Sequence, residues 1–117
     1  MYIESFKELI VWQKSIALVR EIYEVTSQFP QSEQFGLTSQ MRRAVVAIPS
    51  NIAEGKKRKT KKDFLQFLRI ADGSAAELET QIIIARDLFS KVGFTKAEKL
   101  LEEVQKMLAT IIRKLEV

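Results

Sequence analysis

Residues 61–89, KKDFLQFLRIADGSAAELETQIIIARDLF, decide the fold. Apolar side chains recur there at Phe64, Leu68, Ala71, Ala75, Leu78, Ile82, Ala85 and Phe89, a 4-3-4-3-4-3-4 spacing. That period lays one seam along an α-helix and fits no strand. About 30 residues at ~1.5 Å each make a rod of roughly 45 Å. Thr60 followed by Asp63 gives the rod a capping residue and an acidic group in its first turn. A rod with one apolar seam is stable only when other elements cover the seam.

The rest of the chain supplies those elements. Before the rod, two apolar stripes run together, Leu9–Trp12–Ile16–Val19–Tyr23 and Val11–Leu18–Ile22–Val25–Phe29. They predict a first helix over about residues 4–28, stopped before Pro30, which biases Phe29 away from helical geometry. Leu37, Met41, Ala44, Ile48 and Ile52 predict a second helix over about 33–55, with Ser32 as its N-cap and Gly55 as its stop. Pro49 should kink it, having no N–H for the carbonyl of Val45. Asn51 is placed to satisfy backbone groups that Pro49 frees. After Gly93 and Thr95, the residues Ala97, Leu101, Val104, Leu108, Ile111 and Leu115 mark a fourth helix. Four amphipathic helices with short connections predict an all-α, antiparallel up-down four-helix bundle, one domain covering residues 1–117. Gly73 costs ~1 kcal/mol relative to Ala inside a helix, and a close helix–helix approach would explain its presence.

Composition excludes much chemistry. The 117 residues include no Cys and no His, with 46% hydrophobic and 29% charged residues. Disulfides, thiolate metal sites and the commonest general base are therefore absent. Glu54, Asp72, Glu77 and Glu79 are carboxylates without the His partners of a bundle di-iron site, so no metal or cofactor is expected. No Gly-x-Ser-x-Gly turn and no phosphate-cradling loop occurs. An enzyme is not expected. The longest apolar run, Ala44 to Ile48, is far short of the roughly 20 residues of a membrane span. The N-terminus lacks a secretory pattern, so a cytoplasmic location and no membrane partner are expected.

Charge is uneven. Residues 1–41 hold three basic and five acidic groups, 42–69 nine and two, and 70–117 seven and eight. The excess centres on KKRKTKK at 56–62. Lys56, Lys57, Arg58, Lys59, Lys61 and Lys62 are therefore candidate contacts for RNA or DNA phosphates, with Arg42 and Arg43, from the same positive stretch, as weaker candidates. The plainer alternative is a solvated basic loop, with Arg42 and Arg43 paired to acidic neighbours between helices. No aromatic residue lies within 56–62, so the loop itself has no stacking platform.

Apolar surface also exceeds what one bundle needs. Trp12 and Tyr23 on the first helix, Val46 on the second, and Ile83 and Ile84 on the third are candidate oligomer-interface residues. Cyclic closure of identical bundles would cover them.

Three stretches carry a family resemblance: LIVWQKSIALVREIYEVTSQFP at 9–30, EQFGLTSQMRRAVVAIPSNIAEG at 33–55, and KKDFLQFLRIADGSAAELETQIIIARDL at 61–88. The pairing of IPSNIAEG with FL-x-IA-x-GS-x-x-EL is specific. The chain resembles the bacterial four-helix-bundle proteins encoded within intervening sequences of 23S rRNA genes. The fourth helix matches only in pattern. The resemblance implies a homo-oligomer, usually a pentameric ring, and does not imply an enzyme. A related branch serves retroelement reverse transcriptases as an accessory protein, in which a basic pentamer binds nucleic acid and the polymerase; no residue here assigns the chain to it. Two functions follow as expectations. One is a homo-oligomeric nucleic-acid-binding protein. The other is a scaffold that organises a protein partner without touching nucleic acid.

Overall fold

The structure is a computed structural model that describes residues 5–117. Four helices follow in order: α1 Ile10–Thr26, α2 Leu37–Lys57, α3 Lys61–Leu88 and α4 Thr95–Leu115. There is no strand among the described residues. Each helix packs on its chain neighbours, and α4 returns to α1, so the four form a closed square. The body measures 44 × 23 × 21 Å, its long axis about the length of α3.

The core is the seam read from sequence. Leu68, Ala71, Ala75, Leu78, Ile82 and Ala85 of α3 are buried, and Phe64 and Phe89 pack at its ends. Ala97, Leu101, Val104 and Leu108 of α4 are buried opposite. The two stripes of α1 divide. Val11, Leu18, Ile22, Val25 and Phe29 go fully inside, while Leu9, Trp12 and Val19 are half-covered and Tyr23 is exposed. Phe29 closes the far end against Phe89 and Phe94, with ring centroids 4.7 and 6.2 Å away.

Helix boundaries differ from the sequence reading at α1 and α2. The expected start at Glu4 lies outside the described residues. Ser5 instead caps a separate 3₁₀ turn, Phe6–Glu8, and the extended backbone of Leu9 divides it from α1. The end of α1 comes at Thr26, two residues early. The hydroxyls of Thr26 and Ser27 bond back to the carbonyls of Ile22 and Glu24, at 2.6 Å each.

Ser32 does not cap α2. It lies in a second 3₁₀ turn, Gln31–Glu33, and the Glu33 carboxylate accepts from the Leu37 N–H at 3.1 Å. A carboxylate at a helix N-terminus also meets the positive end of the helix dipole. α2 continues across Pro49 and past Gly55 to Lys57. The Asn51 amide donates to the Ala47 carbonyl at 2.8 Å, one turn back, rather than to Val45.

The two glycines reverse their expected roles. Gly55 does not stop α2; it is the close-packing glycine. A Cβ there would lie 2.7 Å from Phe67 Cβ and 3.1 Å from Phe64 Cδ1. Gly73 is exposed, and a Cβ on it would meet nothing within 4 Å. No helix of its own chain approaches it, so intramolecular packing does not account for it. The Thr60 cap on α3 is as read, with its hydroxyl accepting from the Asp63 N–H at 3.1 Å.

Candidate nucleic-acid interface

Up-down-up-down topology places the start of α1, the α2–α3 corner and the end of α4 at one end of the bundle. The C-terminal residues are fastened there. Lys61 donates from Nζ to the Val117 carbonyl at 3.0 Å, and Arg69 pairs with Glu116.

KKRKTKK is a corner, not a loop. Only Arg58, Lys59 and Thr60 lie outside the helices. Lys56 and Lys57 occupy the last turn of α2, where cations are favoured by the helix dipole. Lys61 and Lys62 occupy the first turn of α3, where cations are disfavoured; the Thr60 cap and Asp63 offset them.

The six cations have different environments. Arg58 pairs with Glu54 at 3.0 Å and lies over the Phe67 ring at 5.0 Å. Lys56 is half-buried, its Nζ 5.9 Å from the Phe64 ring centre. Lys61 holds the C-terminal carbonyl. Lys57, Lys59 and Lys62 are exposed and pair with no carboxylate among the described residues. Arg113 and Lys114, in the last turn of α4, arrive at the same end. They were missed in sequence, although four-helix topology alone would have placed them there. Phe64 and Phe67 were also missed as partners of this corner; each has a cation over its ring, Lys56 and Arg58 respectively.

Arg42 and Arg43 do not join this cluster. Arg42 lies 14 residues from Lys56 on the same helix, ~21 Å along its axis. Neither arginine forms an ion pair among the described residues. Arg42 stacks over the Tyr23 ring at 4.4 Å and donates from Nε to the Thr26 hydroxyl at 2.9 Å. The two arginines instead wall an open groove of about 620 Å³ between α1 and α2, with Tyr23, Phe35 and Val46. Phe35, 91% exposed, was not singled out in sequence. Its signal was its place in a connection, outside any apolar period.

Of the other apolar candidates, Trp12 is half-buried, with its ring edge-on to Phe6 at 5.3 Å. Tyr23, Val46, Ile83 and Ile84 are all exposed, as are Ile70 and Leu88. No group of three or more carboxylates capable of holding a metal occurs among the described residues. No helix among the described residues is long and apolar enough to cross a membrane.

An all-helical chain with this core and this basic corner belongs to the four-helix-bundle class. Its family is shown by a match over residues 7–110 to the 23S rRNA-intervening sequence protein family, to which the chain belongs. Among solved structures it is similar to a protein of unknown function from the S23 ribosomal protein family of Bacteroides thetaiotaomicron. That likeness has a TM-score of 0.74 at 24% identity, covering 88% of this chain and 98% of the other. No curated protein matches the chain.

Proposed function

We propose that the chain is a non-enzymatic, homo-oligomeric protein that binds RNA or DNA phosphates through its α2–α3 corner. The observation that carries this reading is a cluster of exposed lysines, Lys57, Lys59 and Lys62, without carboxylate partners among the described residues, flanked by Arg113 and Lys114. Such cations gain affinity by releasing counterions from a phosphate backbone and need no base contact. With the rings of Phe64 and Phe67 held by the chain's own cations, binding is sequence-tolerant and strongly salt-dependent. The bare apolar side chains Tyr23, Val46, Ile83 and Ile84 support self-association, and the family resemblance supports a pentameric ring. The setting is the cytoplasm.

Anisotropy of a labelled DNA duplex, titrated with protein at several salt concentrations, tests the reading. Log affinity should fall linearly with log salt. Changing Lys57, Lys59 and Lys62 together to Gln should shrink the slope by about 0.9 for each lysine that contacts phosphate. No binding at low salt to either RNA or DNA duplexes would overturn it. In that case, capture of a protein partner by the unaltered chain would favour the scaffold function.

A further inference from the structure

Two surfaces carry apolar side chains that the bundle leaves bare. One is the α1–α2 groove, with Tyr23, Phe35 and Val46 exposed beside Arg42 and Arg43. No acidic residue lines it. The other is the outer face of α3, where Gly73, Ile84 and Leu88 are exposed. From Ile70 to Leu88 this helix carries four carboxylates, Asp72, Glu77, Glu79 and Asp87, against one cation. That cation, Arg86, is tied to Glu98 at 2.7 Å. The groove is thus apolar and positive, the α3 face apolar and negative.

The two surfaces also match in height along the bundle. Gly55 abuts both Phe64 and Phe67 where α2 and α3 pack antiparallel. Nine residues back along α2 stands Val46; Gly73 stands nine residues past Phe64 and six past Phe67. At ~1.5 Å per residue, Val46 lies about 13 Å from that contact and Gly73 about 9–13 Å, within one helical turn in height. The same count places Leu37 between the levels of Ile82 and Ala85, so Phe35, just before α2, falls between Ile84 and Leu88. A rotation about an axis parallel to the bundle leaves every height unchanged. It can bring Val46 to Gly73 and Phe35 to Ile84 and Leu88 in a single movement.

We propose that the outer face of α3 docks into the α1–α2 groove of a second copy of this chain, with Val46 against Gly73 and Phe35 against Ile84 and Leu88. This rests on the homo-oligomer reading above and assigns its surfaces. Gly73 then has a reason: the missing side chain admits the neighbouring helix. Because the two patches differ, the contact is heterologous and repeats from copy to copy. Rotation keeps every α2–α3 corner on one rim, so each neighbour extends the phosphate-binding surface with its own Lys57, Lys59 and Lys62.

The absence of cysteine makes the test clean. Val46→Cys and Gly73→Cys are prepared as separate single variants and oxidised alone and mixed. A disulfide-linked dimer should form in the mixture and in neither variant alone. Gly73→Trp, at an exposed position where a Cβ meets nothing within 4 Å, should keep its helical circular dichroism. By light scattering it should fall to the 13.5 kDa monomer at a concentration where the parent is assembled. A monomeric parent would overturn both this inference and the oligomer reading. An assembled parent, with Gly73→Trp still assembled and no cross-link in the mixture, would overturn the docking surfaces alone. Self-linking of Val46→Cys would overturn the head-to-tail arrangement.

Discussion

Gly55 and Gly73 stand in neighbouring helices of one bundle, and each costs its helix about 1 kcal/mol relative to Ala. Gly55 returns that cost at once, because Phe64 and Phe67 fill the space a side chain would take. Gly73 returns nothing inside its own chain. A helix-breaking residue with a packing reason describes the fold; one without such a reason describes what lies outside it. The difference separates the α2–α3 corner, whose tight packing presents the cations, from the outer face of α3, which the monomer leaves unfinished.

The largest effect should come from Gly55→Ala. Its methyl group would press on Phe67 Cβ at 2.7 Å. Overpacking of this kind costs about 1–3 kcal/mol, outweighing the gain in helix propensity. Urea denaturation should show a lower midpoint with an unchanged slope. Adding Phe67→Gly, which removes that Cβ, should relieve the strain, so the double variant should lose less than the two single losses together. Coupling between touching residues is about 0.5–3 kcal/mol, and a coupling near zero would remove Phe67 as the cause.

Gly73→Ala should act in the opposite direction on the isolated chain. Measured at a dilution where light scattering reads a monomer, it should raise stability by about 0.5–1 kcal/mol. A loss of stability there would mean that Gly73 serves a contact within its own chain after all.

The smallest effect belongs to the exposed Glu102–Lys106 pair on α4, joined at 2.9 Å. The hydrogen bond and charge of Lys106 hold the Glu102 carboxyl below its ordinary value. A depressed carboxylate pKa contributes stability above the unfolded-state value and loses it as pH falls through the folded one. Lys106→Met should therefore move the Glu102 titration upward by NMR while leaving the melting temperature at neutral pH almost unchanged. Exposed pairs of this kind contribute little. A large thermal loss would show that α4 depends on its surface charges rather than on its buried face.

The long seam of α3 and the buried face of α4 were legible because their period is set by burial alone. The ends of α1 and α2 were less so. Leu9 and Ser32 each sit in a place where two local hydrogen-bond patterns compete, and tertiary packing chooses between them. Charge misled in a specific way. Arg42 and Arg43 adjoin the basic run in composition, yet a rigid helix carries them ~21 Å from Lys56. Arg113 and Lys114, distant in sequence, are returned to that corner by topology. The roles of the two glycines could not be read from their spacing, because each role depends on what faces the residue across a neighbouring helix.

The bond from Lys61 to the Val117 carbonyl has a practical side. It sets the chain's last residue among the lysines, and the first turn of α1 lies at the same pole. A purification tag or fluorescent fusion after Val117 would therefore sit beside the cations, and an acidic tag could mask them. The turn around Ser90–Gly93, at the opposite pole, is the better place for a label.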